Sequence, residues 1–317
     1  MADIKLAFEE MLARRKGSAP LPTAVVHPCS EDALRGALEA ARVGLIEPLL
    51  VGPEEHIREI ANKAKLDLSP YKVVTTMDSV ESAAVAANLA GTGKVKALMK
   101  GSLHTDQYMH AVIQRENRLR TNRLLSHCFL VAAPAYSRCI IISDAAVNIA
   151  PDLDQKRDIV QNAVILARAL GIAQPKVAIL AAVEVVNSRM PATTDAAALA
   201  KMADRRQIVG AIVDGPLDLD IAVDEEAARV KGVDSPVAGK ADILIAPNIE
   251  AGNMMYKELA FMAGAQVAGL VMGARVPVIL TSRADSPQTR LFSCGLAVLL
   301  AEATANDPAL LHPVIGE

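Results

Sequence analysis

Residues 49–65 read LLVGPEEHIREIANKAK, and this stretch sets the architecture. A short apolar run at 49–51 is broken by Gly52-Pro53. In 54–65, Ile57, Ile60, Ala61 and Ala64 fall at i, i+3, i+4 and i+7, the single apolar stripe of a surface helix. The same order of strand, turn and helix recurs around the apolar runs 24–26, 72–75 and 97–99. A second series follows Pro151: a helix over 154–170 stopped by Gly171, then strands at 177–180, 208–213, 243–246, 267–272 and 278–280. Strands alternating with helices predict parallel βαβ units with right-handed crossovers. Between the series, 129–133 and 138–143 flank Pro134-Ala135-Tyr136-Ser137. That pattern predicts an antiparallel hairpin and a domain boundary near residue 145.

At roughly 100–200 residues per domain, 317 residues suggest two domains. A 52% hydrophobic, 22% charged chain with 3% aromatics is a folded globular protein. With 33 basic against 36 acidic residues it has no basic excess, so no nucleic-acid partner is expected. No apolar run reaches the roughly 18 residues of a membrane span, and residues 1–16 are too charged for a signal peptide. Cys29, Cys128, Cys139 and Cys294 are scattered. Reduced core thiols and a cytoplasmic location are expected.

Several motifs fail on inspection. Gly91-Thr92-Gly93-Lys94 lacks the first glycine and the Ser/Thr of a P-loop, and reads as a loop before a strand. His104, His110 and the His127-Cys128 pair lack metal-ligand spacing, and no G-x-S-x-G elbow occurs.

Four segments place polar residues at the C-terminal ends of predicted strands, where open parallel sheets bind ligands. In Met99-Lys100-Gly101-Ser102-Leu103-His104-Thr105, a cation, a glycine and hydroxyls precede a helix, which suits an anion or a capped turn. Asp144 and Asn148 follow the strand ending at 143, where they fit either a ligand or turn chemistry. A helix is expected to begin near Gly252-Asn253, with Asn253 and Lys257 sharing a face. Finally, Thr281-Ser282-Arg283-Ala284-Asp285-Ser286 closes a buried strand. A guanidinium forks onto phosphate, a serine can donate to an oxyanion, and a carboxylate can take a proton.

Taken in order, these segments resemble the phosphate acetyltransferase/phosphate butyryltransferase family. The resemblance covers roughly residues 90–303 and rests on MKGSLHT (99–105), SDAAVNIAPD (143–152), PKVAILAAVEVVN (175–187), VDGPLDLDIAV (213–223), KADILIAPNIEAGNMMYK (240–257) and VPVILTSRADS (276–286). It implies a two-domain parallel-sheet α/β/α fold, similar to isocitrate and isopropylmalate dehydrogenases, with the active-site cleft between the domains. Residues 1–145 with 290–317 would form the first domain and 146–289 the second. The implied reaction interconverts acyl-CoA plus phosphate with acyl phosphate plus CoA, by direct thiol attack in a homodimer. No cofactor or metal is required, since coenzyme A is a substrate. Ser282 would polarise the carbonyl and Arg283 would hold phosphate. Lys100, Gly101, His104, Thr105, Asp144, Asn148, Gly252, Asn253 and Lys257 would line the substrates. Many acetyl-specific relatives carry an Asp seven residues after that serine; here the position is Thr289, so Asp285 becomes the candidate base. The acyl group that the resemblance implies is acetyl, with butyryl as the alternative. Two rivals remain at this point. One is a metal- and NAD(P)-dependent hydroxyacid dehydrogenase using Asp214, Asp218 and Asp220. The other is an acyl-CoA binding protein without catalysis.

Overall fold

The computed structural model describes residues 9–11, 13, 17–282 and 285–311. In chain order the first elements are β1 (Leu21–Val26), α1 (Glu31–Arg42), β2 (Ile46–Gly52), α2 (Glu54–Ala64), β3 (Lys72–Thr75), α3 (Ser79–Gly91), β4 (Ala97–Lys100) and α4 (Thr105–Ile113). Next come β5 (Ser126–Ala132), β6 (Ile140–Ser143), α5 (Leu153–Ala169), β7 (Lys176–Leu180), α6 (Pro191–Asp204) and β8 (Ile212–Leu217). The remainder is α7 (Leu219–Val223), α8 (Glu225–Val230), β9 (Ile243–Ile245), α9 (Ile249–Lys257), β10 (Gln266–Met272), β11 (Val278–Ile279) and α10 (Pro287–Asn306). Contacts divide the chain into two units. One holds the described residues up to Arg123 with Ala268–Glu302; the other holds Leu124–Val267 with the described residues from 303 on.

In the first unit the strand order is β3-β2-β1-β4-β11-β10, parallel from β3 to β11. Three stretches predicted from the sequence, 24–26, 72–75 and 97–99, lie in β1, β3 and β4. The strands at the middle of this order are buried, as parallel strands covered on both faces must be. Helices start on side-chain caps: Ser30 Oγ accepts from the Ala33 N–H at 3.3 Å, and Asp78 accepts from Val80 and Glu81, each at 2.9 Å. One direction differs from expectation: β11 runs antiparallel to β10. Only Gly273–Pro277 joins them, too short for the crossover a parallel pair needs.

In the second unit the order is β5-β6-β9-β7-β8. The expected hairpin is present, with Phe129 opposite Ile142, and the remaining pairs are parallel. This hairpin falls with the later strands, so the contact division lies at 123/124 whereas the sequence suggested a boundary near 145. Strand β8 starts at Ile212 rather than 208, and α9 starts at Ile249, capped by Asn248, rather than near 252. Tyr256 stacks on Phe129 with ring centroids 3.7 Å apart, fixing α9 to the sheet at a gain of about 0.5–1.5 kcal/mol beyond area burial. Among the described residues no helix is long and apolar enough to cross a membrane.

Candidate active site

Strand register builds the first half of the site. Val26 lies opposite Lys100 and Ile279 opposite Met99, so β1, β4 and β11 end side by side. Beyond those ends the chain turns sharply. The Gly101 N–H donates to the Val26 carbonyl at 2.9 Å, and the His27 carbonyl accepts from both Ser102 N (2.9 Å) and Ser102 Oγ (2.8 Å). A Cβ on Gly101 would sit 2.4 Å from the Val26 oxygen and 2.5 Å from that of His27, so only glycine fits. His27 itself has φ 51°, and its Nδ1 lies 3.2 Å from Ser82 Oγ. Burial, with the nearby His56, holds this imidazole below its ordinary range, and Asp78 opposes them.

The turn lines a cavity of about 250 Å³, bounded also by Met99, Lys100, Thr281, Ser282, Arg290 and the start of α1. Lys100 is only 6% exposed. Two cations, Lys100 and Arg290, and one carboxylate, Asp32, line this cavity. Ser282 is exposed, whereas Asp285 behind it is buried. Asp285 Oδ2 accepts from the Ser282 N–H at 2.6 Å, and the Asp285 N–H returns a bond to the Ser282 carbonyl at 3.2 Å. The helix after this turn is capped by Ser286, whose Oγ accepts from the Thr289 N–H at 3.0 Å. Arg283 lies outside the described residues.

The second unit gathers the other candidates. Asp144, joined to Ser143 by a cis peptide, is buried at the end of β6. Its Oδ1 accepts from Ala146 N (2.9 Å) and Val147 N (3.1 Å), and its Oδ2 from Asn148 N (3.1 Å) and Asn148 Nδ2 (2.5 Å). Asn253 Nδ2 donates to the Ala145 carbonyl at 2.9 Å. At Gly252 a Cβ would lie 2.3 Å from the Asp144 carbonyl oxygen, so glycine lets α9 close on this loop. Thus hydrogen bonds tie Asp144, Asn148 and Asn253 into one cluster against which Gly252 packs, while Lys257, His104 and Thr105 are exposed.

Sequence reasoning missed Arg290, a buried cation on the first turn of α10 that reaches the cavity. Its signal was a lone cation just ahead of the apolar run 291–301. The aspartate string reads differently once folded. Asp218 and Asp220 both accept from Lys231, at 3.2 and 3.0 Å, and Asp214 Oδ1 accepts from the Gly215 N–H at 2.8 Å. Among the described residues no group of three or more His, Cys, Asp or Glu could hold a metal ion. Of the thiols, Cys128 and Cys294 are buried and pushed up to about 12 by burial; Cys29 and Cys139 are half-buried, not core, and Cys29 is raised to about 11 by the same cause.

Comparison with known proteins adds the following. The family pattern described as "Phosphate acetyl/butaryl transferase" matches residues 76–298. The chain is 52% identical to a phosphate acetyltransferase from Rhizobium meliloti, over 93% of each chain. It is 42% identical to a phosphate butyryltransferase from Clostridium acetobutylicum, over 93% of this chain and 98% of that one. The crystal structure of a branched-chain phosphotransacylase from Enterococcus faecalis V583 superposes with a TM-score of 0.79 at 31% identity, covering 89% of this chain and 99% of that one.

Proposed function

The chain belongs to the phosphate acetyl/butyryl transferase family and is a phosphate acyltransferase, and from that premise we propose that its acyl group is acetyl and that the loop 282–285 carries the chemistry. The dehydrogenase and the non-catalytic binder have no support among its relatives. The acetyl reading is carried by one observation: 52% identity to an acetyltransferase against 42% to a butyryltransferase over similar lengths. In this reading the CoA sulfur attacks the carbonyl carbon of the acyl phosphate. The C–S bond forms, the bond from carbon to the phosphate oxygen breaks, and phosphate leaves with both electrons of that bond. The thiol proton passes to Asp285 and is released to solvent or phosphate. A free thiol, with a pKa of about 8.5, is mostly protonated at neutral pH, so a nearby carboxylate raises the thiolate fraction only during attack. Ser282 donates to the developing oxyanion. Lys100 and Arg283 hold the phosphate oxygens, the guanidinium by its fork. The Asp144–Asn148–Asn253 cluster orders a substrate-facing loop. The working form is a cytoplasmic homodimer. The test is thiol release with phosphate and acetyl-, propionyl- and butyryl-CoA in parallel, plus light scattering for the dimer. Acetyl-CoA is expected to give the highest kcat/KM; a butyryl optimum would reassign the acyl group.

A further inference from the structure

Arg290 is 6% exposed and lies one turn into α10, in a helix whose neighbouring buried positions are Phe292, Ser293 and Cys294. A guanidinium placed so deep needs acceptors of its charge-assisted hydrogen bonds. One is the carbonyl of Ser282, 3.4 Å from its Nη2. The same carbonyl accepts from the Asp285 N–H, and the Ser282 N–H is held by Asp285 Oδ2. Both polar backbone groups of Ser282 are therefore held within the turn by Asp285, and its carbonyl also from outside the turn by Arg290. The approach of the arginine is built into α1. A Cβ on Gly36 would lie 3.1 Å from Arg290 Cδ and 3.7 Å from its Cβ, so the glycine leaves a channel along which the arginine stem lies. The N-terminal end of α1 lines the same cavity as Arg290, Lys100 and Ser282.

We infer that Arg290 is a positioning residue: it fixes the Ser282 hydroxyl toward the cavity by holding the Ser282 carbonyl, and Gly36 provides the room for it. This rests on the phosphate acyltransferase reading, and on Ser282 as the oxyanion donor within it. An oxyanion donor works only when it is aimed before charge develops, and small misplacements are expensive in rate. A backbone carbonyl held from one side by a charged group cannot rotate its peptide away from the cavity. The Cα–Cβ bond of the same residue then keeps one direction, which sets the region its hydroxyl can reach.

The experiment is a double-mutant cycle on the full-length protein, assayed by phosphate-dependent thiol release. Wild-type turnover is measured first; its absence would sink the acyltransferase reading and say nothing of Arg290. Given wild-type turnover, Arg290→Gln is expected to lower kcat by about tenfold to a hundredfold, with KM for phosphate changed less than about twofold. In a Ser282→Ala background the same substitution is expected to lower kcat by less than about twofold, because its effect runs through the missing hydroxyl. Arg290→Lys keeps the charge and the stem and replaces the glutamine variant in the cycle if that variant does not fold. It is expected to recover part of the lost kcat. Three results would overturn the inference: a rise in phosphate KM as the main effect, which would make Arg290 a substrate contact; full additivity with Ser282→Ala; or a lowered thermal midpoint with kcat intact, which would leave it a packing residue.

Discussion

Two loops follow the C-terminal ends of buried strands, and each sets an aspartate beside a serine. After β6, Asp144 is wrapped by its own loop: Ala146, Val147 and Asn148 donate three backbone N–H groups, and Asn148 adds its side-chain amide. After β11, Asp285 grips the Ser282 N–H through Oδ2 beside a cavity that also holds Lys100. The residue type and the burial are alike, but the two carboxylates are engaged differently. One has its acceptor positions filled by the loop it builds. The other is bonded to the residue proposed to meet the carbonyl. The comparison teaches that position at a strand end selects candidates, and the identity of a bonded partner separates a carboxylate that orders its own loop from one tied to the proposed oxyanion donor.

The sharpest way to break the comparison is to substitute both carboxylates alike. Asp285→Asn keeps an oxygen to accept the Ser282 N–H and removes the basicity. It is expected to lower kcat in the CoA-acylating direction by about 10²-fold, a usual scale for a general base. Asp144→Asn turns one acceptor into a donor facing donors. It is expected to lower unfolding stability by roughly 1.5–3 kcal/mol, the scale of a hydrogen bond to a charged group, with a smaller change in kcat of the folded fraction. Chemical denaturation beside steady-state kinetics separates them, and exchanged phenotypes would reverse the assignment.

The glycines sharpen it further. Gly252→Ala drives a methyl against the Asp144 carbonyl, and a loss of roughly 1–3 kcal/mol in stability is expected. Gly101→Ala drives one against the Val26 and His27 carbonyls and displaces the turn beside Lys100, so its main expected effect is on KM for phosphate. A kinetic defect in the first and a purely thermal one in the second would contradict the division of labour.

The smallest expected effect is at Lys100. Lys100→Met keeps an unbranched stem of similar length and removes the charge, and phosphate KM should rise about tenfold, equal to about 1.4 kcal/mol, with little change in kcat. Unchanged phosphate KM in initial-rate measurements would remove Lys100 from the anion seat.

Much of this was legible in the chain. Apolar runs and the stripe Ile57, Ile60, Ala61, Ala64 carry local information, and both the strands and α2 follow them. Residues 99–102 and 281–282 come together because β4 and β11 are adjacent in register. Three things were not legible. The β10–β11 direction depends on loop length, not on periodicity. The wrapping of Asp144 depends on how the following four residues turn. The Arg290 stem lies against Gly36, more than 250 positions away in the chain, and no local pattern encodes such a contact.

The claim at the centre of the account is that Asp285 takes the thiol proton. The pH dependence of kcat in Asp285→Asn tests it most directly. With the base gone, turnover should track ionisation of the free thiol and rise about tenfold or more between pH 7 and 9, closing part of the gap to wild type. A profile parallel to wild type at a constant deficit, or near-normal kcat at pH 7, would contradict it and leave Asp285 as the clamp of Ser282 alone.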